Sequence, residues 1–324
     1  MAFFTIPFMK KTTIILCSLI LFAFVSCKSK KEQHEVYTDL QPLKLGAMSS
    51  MDYLPFVIAE KQGIYDSLGL DLSIVKFFSA NDRDAAFQSG NVDGTVIDYT
   101  GATLQQANGI PLAIVMENNG YFHLITGRDS QIENPKDLKG KNIAVSRNTV
   151  IEYSTDQMLA TVGLSATEVN KPEINKIPLR LEMLQNGQID ATILPDPFAT
   201  IAIQNGHRSL ITTKDLSISV TGTIFNQQAL DNKRREIEVL IRGYNLGVEY
   251  IKTHPRSQWK DILVEDAGVP EPLTDHVILP QYKEAELPSA KDLELTLVWL
   301  KEKQLIPETY QGEHLIDTIK GIRF

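Results

Sequence analysis

Residues 87–102 read FQSGNVDGTVIDYTGA, and residues 184–199 read LQNGQIDATILPDPFA. Each stretch runs from the tail of a helix through a glycine, an aspartate, a short apolar strand and a second aspartate. Gly90, Asp93 and Asp98 answer to Gly187, Asp190 and Asp196, with one extra residue before the last. A glycine at that point suits the left-handed turn that ends a helix. The runs Gly94–Ile97 and Ala191–Leu194 suit strands buried on both faces of a parallel sheet. Asp98 and Asp196 then fall where each strand ends and the next helix begins. Ligands of open α/β sheets sit outside those carboxyl ends. Two such units, well separated in the chain, imply two similar α/β lobes with a ligand between them.

The flanking sequence supports this order. Leu43–Ala47 reads as a strand, Pro55–Gln62 as a helix closed by Gly63, and Leu70–Phe77 as a second strand. Asp82–Gln88 is the helix feeding the first repeated unit, and Pro111–Glu117 a further strand. A βαβαβ order calls for a parallel sheet. Strands are expected again at Phe122–Gly127, Ile143–Ser146 and Val220–Asn226. Pro135–Lys141 reads as a turn or short helix. Val150–Thr161 is a helix, with Thr149 and Glu152 at capping-box spacing. Beyond residue 229 the apolar spacing turns helical, as in Ile237, Leu240, Ile241, Tyr244, Val248 and Ile251 and again in Leu293, Leu297 and Leu300. Short helices separated by Pro255, Pro270, Pro280 and Pro288 are expected to pack on one lobe.

The N-terminus reads as an address. Lys10 and Lys11 precede the apolar run Thr12–Val25, and small Ser26 precedes Cys27, so residues 1–26 are expected to be a signal peptide. The run is shorter than the ~20 residues a membrane span needs. Phe24-Val25-Ser26-Cys27 resembles a bacterial lipobox, apart from Phe24 where Leu is usual. That resemblance implies a lipid on Cys27 and attachment to a bacterial envelope membrane, facing periplasm or exterior. Residues 27–42 then form the lipidated Cys and a charged, flexible tether.

Composition excludes several classes. The 2 cysteines are Cys17 and Cys27, so the fold has no disulfide, thiolate nucleophile or Cys-based metal site. The 6 histidines are scattered, with no pair at helical spacing, and no closely spaced glycines follow a predicted strand. No metal or cofactor is called for. The net charge is −8, and no basic cluster interleaves with aromatics, which argues against nucleic acid. The length beyond the tether suits two domains.

Four segments carry a resemblance to a known family: GAMSSMDYLPFVIAEKQG (Gly46–Gly63), the first repeated unit, NPKDLKGKNIAVSRNTVIEY (Asn134–Tyr153), and the second repeated unit. Together they resemble the substrate-binding proteins of ABC importers of the nitrate, sulfonate, taurine and thiamine-precursor type. The resemblance implies an α/β, two-lobed fold of the periplasmic-binding-protein type II kind. Each lobe would be a mainly parallel sheet flanked by helices, and two crossing strands would join the lobes. Residues 43–124 would open lobe 1, 125–221 form lobe 2, and 222–324 return to lobe 1 with the C-terminal helices. The crossings would lie near Phe122–Gly127 and Val220–Phe225. The implied function is capture of a small molecule and its delivery to an ABC permease and ATPase, without catalysis. Two other classes stay open. One is an enzyme of the same fold, which would need a desulfinase-like Cys or a pyrimidine-synthase-like His and metal cluster. The other is a ligand-sensing surface lipoprotein without transport.

The implied ligand contacts come from strand ends. Lobe 1 offers Ser49, Ser50, Met51, Asp52 and Tyr53, then Asp98, Tyr99 and Thr100, then Glu117 and Asn118. Lobe 2 offers Asn148, Thr149, Glu152, Tyr153 and Asp196. Each has a plainer reading. Asp98 and Asp196 suit helix caps, Asp52 a turn, and Glu152 the capping box with Thr149. Tyr53, Tyr99, Tyr121 and Tyr153 could stack on a ring or ammonium, or only pack. Arg147 could pair an acid or flank in solvent. Because carboxylates outnumber Arg147 among these candidates, and burying them unpaired is costly, the expected ligand bears nitrogen. An aminopyrimidine thiamine precursor and an aminosulfonate such as taurine both qualify.

Overall fold

The computed structural model describes Met1 and residues Asp39–Ile319. The expected signal peptide, Cys27 and most of the tether lie outside the described residues. Nine strands form two sheets among the described residues. They are β1 (Leu43–Met48), β2 (Leu72–Phe77), β3 (Gly94–Asp98), β4 (Leu112–Asn118), β5 (Phe122–Thr126), β6 (Ile143–Ala144), β7 (Ala191–Pro195), β8 (Arg208–Thr212) and β9 (Thr221–Asn226). The first sheet has the order β2-β1-β3-β9-β4, and the second β6-β7-β5-β8. The chain therefore passes from the first sheet to the second between Asn118 and Phe122 and returns between Thr212 and Thr221.

In each sheet one strand opposes all the others. β9 runs antiparallel to β3 and β4, and β5 runs antiparallel to β7 and β8. The pairs β1–β2, β1–β3 and β6–β7 are parallel. The opposed strands are the two that arrive from the other sheet. Such a strand enters without the helical crossover that would turn it parallel. Four of the seven strand pairs are antiparallel, so the sheets are mixed and not mainly parallel as expected, because the two crossing strands run against their neighbours.

The repeated units fold as the sequence requires. β3 and β7 are buried at every residue. Gly90 and Gly187 take left-handed backbone angles, φ +73° and +68°, where an L side chain would be strained. The helices ahead of them are α3 (Ala80–Gln88) and α6 (Ile177–Gln185). α4 (Tyr99–Ala107) follows β3 and α5 (Val150–Ala160) follows β6. Asp98 caps α4 by accepting from Gly101 N–H at 2.7 Å, and Thr149 caps α5 through Ile151 N–H at 3.2 Å. Glu152 reaches back one residue further than a capping box, to Asn148 N–H at 2.9 Å.

The C-terminal part departs from the expectation of short helices on one lobe. Helix Arg234–Thr253 runs for 20 residues and buries Ile237, Leu240, Ile241, Tyr244 and Val248. It lies so close to helices Leu54–Lys61 and Ile64–Leu68 that a Cβ on Gly247 would come 2.2 Å from the Pro55 carbonyl oxygen. Helix Ala290–Glu302 packs on α4 beside the first sheet, yet Trp299 also meets Tyr153 of α5 edge to face, with ring centroids 5.5 Å apart. The end of the tether is fastened too. Gln41 N–H donates to Glu236 at 2.8 Å, and Lys233 Nζ donates to the Pro42 carbonyl at 2.8 Å.

Candidate functional site

A pocket lies where the strand ends of the two sheets face each other, a tight cavity of about 50 Å³. One wall comes from Ser50, Asp52, Val96, Ile97, Asp98 and α3, and the other from Ser146, Thr149, Ile151, Asn175, Pro195 and α6. The starts of α3 and α6 meet at its rim. Ser79 and Lys176, the residues before each helix, pair as an isolated antiparallel bridge, and Ile177 N–H donates to the Phe78 carbonyl at 3.2 Å. Two helix N-termini thus converge on one space, a setting that favours negative charge.

The structure brings Ser50, Asp52, Asp98 and Thr149 into this lining. The Ser50 hydroxyl donates to the Asp52 carboxylate. Burial pushes the Asp52 carboxyl above its ordinary range, and hydrogen bonds from Ser50 and Thr221 only partly offset that.

The other expected contacts lie outside the lining. Ser49, Met51 and Tyr53 are buried behind it; Met51 C=O accepts from Tyr282 at 2.7 Å, and the Tyr53 hydroxyl donates to Asp266 C=O at 3.1 Å. Tyr99 packs in an apolar cluster, with its hydroxyl 3.5 Å from Glu117. Thr100 donates its hydroxyl to Asp98. Glu117 accepts from Ser219 at 2.9 Å, and Asn118 bridges Asp52 C=O and the Thr223 hydroxyl. Asn148 adopts a left-handed turn, φ +59°. Glu152 is paired with Lys303 and, at 3.7 Å, with Lys171. Tyr153 covers Trp299, while Tyr121 lies beneath Lys214. Asp196 accepts from the backbone and hydroxyl of Thr200 and sits 3.6 Å from His123. Burial pushes the His123 imidazole down and the Asp196 carboxyl up. Arg147 is exposed and pairs with Glu173 at 3.2 Å.

Two lining residues escape the sequence reading, Arg83 and Arg180, and both are almost fully buried, at 2% and 1% exposure. They even the charge count behind the expected nitrogen-bearing ligand, setting two arginines against Asp52 and Asp98 in the lining. Glu117, Glu152 and Asp196 are satisfied elsewhere, while both arginines are among the lining residues. A signal for them was present. Arg83 shares a helix face with buried Ala80 and Phe87, and Arg180 shares one with Ile177, Leu181 and Leu184. An arginine at a core-facing helical position must find a partner or a ligand.

The two arginines are also equivalent. Arg83 stands seven residues before Gly90, and Arg180 seven before Gly187, so the repeat extends back to them. Their surroundings differ. Arg83 donates to Asp84 at 2.9 Å and to Asp98 at 3.4 Å. Burial pushes its guanidinium down, but the two carboxylates outweigh that and hold it above its ordinary value. Arg180 donates through Nη1 to the carbonyls of Ile174 and Asn175, at 2.9 and 3.4 Å. Its Nε and Nη2 have no hydrogen-bond partner among the described residues. Burial pushes it down to about 10.

Comparisons with known proteins agree with this architecture. The family model described as "NMT1/THI5 like" matches residues 50–258. A Bacillus subtilis (strain 168) protein whose name assigns it to aliphatic sulfonate binding is 22% identical over 258 residues, covering 76% of this chain and 75% of its own. The MOPS-bound alkanesulfonate-binding protein SsuA of Xanthomonas axonopodis pv. citri superposes with TM-score 0.71 at 17% identity, over 86% of this chain and 98% of that one. The zinc-bound ligand-binding component of an ABC-type import system from Staphylococcus aureus gives TM-score 0.74 at 14% identity, over 86% and 97%. A desulfurization enzyme, DSZB, shares the fold at TM-score 0.62 and 12% identity, over 85% and 96%.

Proposed function

The chain belongs to the NMT1/THI5-like family, and from that premise we propose that it is the solute-binding component of an ABC importer, holding a small organic molecule between two lobes. The proposed lobes follow the sheets, one built on β1–β4 and β9 and the other on β5–β8, so the crossings fall just before β5 and β9 and not at residues 124 and 221. The observation that carries this reading is the pocket itself, walled by both sheets and lined by residues of both repeated units. A cavity shared by two lobes is one that closure can seal, because each lobe adds its own contacts to the same ligand. Backbone contacts such as Ile177 to Phe78 already join the walls at the rim.

The likeness to sulfonate-binding proteins and the two lining arginines favour a sulfonate or similar acid among the candidate cargoes. Taurine satisfies both, since its amine could face Asp52 or Asp98. An aminopyrimidine satisfies only the carboxylates. The proposed setting is a bacterial envelope, with a lipid on Cys27 keeping the protein near its permease and ATPase. The pocket lining holds no cysteine, and Cys17 and Cys27 lie outside the described residues.

The test is a thermal-shift and native mass-spectrometry screen of the purified full chain against alkanesulfonates, taurine, nitrate and aminopyrimidines. A true cargo at a hundred times its Kd should stabilise the protein by about 2.7 kcal/mol. It should also reduce the radius of gyration in solution scattering. A chain that binds no member and shows no compaction would contradict the importer reading.

A further inference from the structure

The duplication supplies an internal control for what Arg180 does. In the first unit, the arginine before the helix-ending glycine is quenched by carboxylates of its own chain, Asp84 and Asp98. In the second unit, the position matching Asp84 is Leu181, and the aspartate matching Asp98 is Asp196, which is engaged by Thr200 and His123. Arg180 has therefore lost both partners while staying equally buried. A buried guanidinium with no compensating anion is costly to keep.

The geometry of what is missing is specific. Nη1 is used to fix the group against the Ile174 and Asn175 carbonyls. The unpartnered atoms are Nε and Nη2. Those two N–H groups lie on one edge of the planar guanidinium and point the same way, the arrangement that grips two oxygens of one acid group side by side. Ser146 and Thr149 share this lining, with their hydroxyls already donating to Asn175 Oδ1 and the Ser146 carbonyl, so the donors left for an acid are those of Arg180. No ion pair to Arg180 is present among the described residues, and the converging starts of α3 and α6 add positive potential.

We propose that the free edge of Arg180 is the acid-head subsite of the pocket, where a ligand carboxylate or sulfonate takes the place held in the first unit by Asp84 and Asp98. Resting on the solute-binding reading above, this assigns the cargo to small organic acids and sets its orientation. The acid lies against the second sheet and α6, and the remainder of the molecule faces Asp52 and Asp98 on the first. The orientation also makes the order of contacts testable, since the acid can engage only one lobe directly.

Isothermal titration of the full chain with ethanesulfonate, taurine and propionate, beside the neutral isosteres ethanesulfonamide and propionamide, tests the assignment. The wild type is expected to bind at least one acid and to prefer it over its neutral isostere. Arg180→Gln is expected to weaken that acid by about 30-fold or more, the range for removing one partner of a buried charge pair. Arg180→Lys, which keeps the charge and loses the fork, should fall between the two. The ligand-free melting temperature of Arg180→Gln should be no lower than that of the wild type, since an unpaired buried charge is removed. An acid affinity unchanged in both variants, or equal binding of acid and isostere, overturns the subsite. If isosteres bind with compaction while acids do not, the subsite fails and the importer reading stands. If no probe binds and no compaction occurs, the importer reading fails and takes the subsite with it.

Discussion

Asp98 and Asp196 close the two repeated strands at matching points, yet they face different cations. Asp98 sits 3.4 Å from Arg83 and lines the pocket, whereas Asp196 sits 3.6 Å from His123 outside the lining. The repeated architecture thus places one chemical group at two strand ends with different neighbours. In the first unit the helix before the strand supplies the partner. In the second, the partner comes from β5, the strand that enters from the other sheet. One unit is thus internally neutralised, while the arginine of the other has no carboxylate partner among the described residues.

Asp98 has two structural jobs that substitutions can separate. Asp98→Asn keeps a side-chain oxygen for Gly101 N–H and loses the charge facing Arg83. Asp98→Ala loses both. The alanine variant is expected to cost more than the ~1 kcal/mol of a lost cap and less than the ~3–5 kcal/mol of a stripped buried pair, because Asp84 still holds Arg83. Urea unfolding of the two variants measures the gap. Equal stability of Asn and Ala would mean that the cap contributes nothing.

Gly247 tests how closely the long C-terminal helix must lie on helix Leu54–Lys61. Alanine in a helix interior is normally worth about 1 kcal/mol over glycine. Here its Cβ would meet the Pro55 carbonyl at 2.2 Å, and backbone cannot rotate away. Overpacking of this kind costs typically 1–3 kcal/mol. Gly247→Ala is expected to lower the urea midpoint, and a rise would show that the helices can part freely.

The strands were legible because β3 and β7 are short runs rich in apolar and β-branched residues, and the glycines after α3 and α6 mark where each helix ends. The pocket residues were less so. Sequence locates the end of a strand, but not which of its last side chains turns toward the cleft. Asp98 turns in, while neighbouring Tyr99 turns into the apolar cluster. Glu117 and Glu152 looked like free carboxylates because their partners, Ser219 and Lys303, are remote in sequence. Arg83 looked solvated inside the run Asn81-Asp82-Arg83-Asp84, although its spacing from Ala80 and Phe87 placed it on the buried face.

Cys27 tests the proposed anchoring. Cys27→Ser removes the only residue the lipobox pattern can lipidate. Expressed in a bacterial host that lipidates such signals, the variant is expected to leave the membrane fraction, or to persist as an uncleaved precursor, while the wild type stays membrane-bound. Labelling with a fatty-acid analogue should mark the wild type alone. A wild type that takes no label would overturn the lipid reading whatever its fractionation.

The ion cluster around Glu152 is expected to give the protein an acid-sensitive clamp. Burial pushes the Glu152 carboxyl up, but Lys303, the Asn148 N–H and Lys171 outweigh that and hold it below its ordinary value of 4.5. Lys303 lies just past the C-terminal helix and also reaches Asp156 at 3.4 Å, so the cluster ties that helix to α5, whose first residues line the pocket. A carboxylate whose folded pKa is depressed adds stability that is complete above its unfolded value and lost as pH falls through the folded one. Wild-type stability should therefore decline as the pH drops below about 4.5, and part of that slope should be absent in Glu152→Gln. Lys303→Met removes charge-assisted hydrogen bonds of about 1.5–3 kcal/mol each, in a group 27% exposed, so the lower end of that range is expected. Urea unfolding at pH 7 and at pH 4 measures both. If Glu152→Gln keeps the full acid slope, the slope belongs to other carboxylates and the clamp does not depend on Glu152.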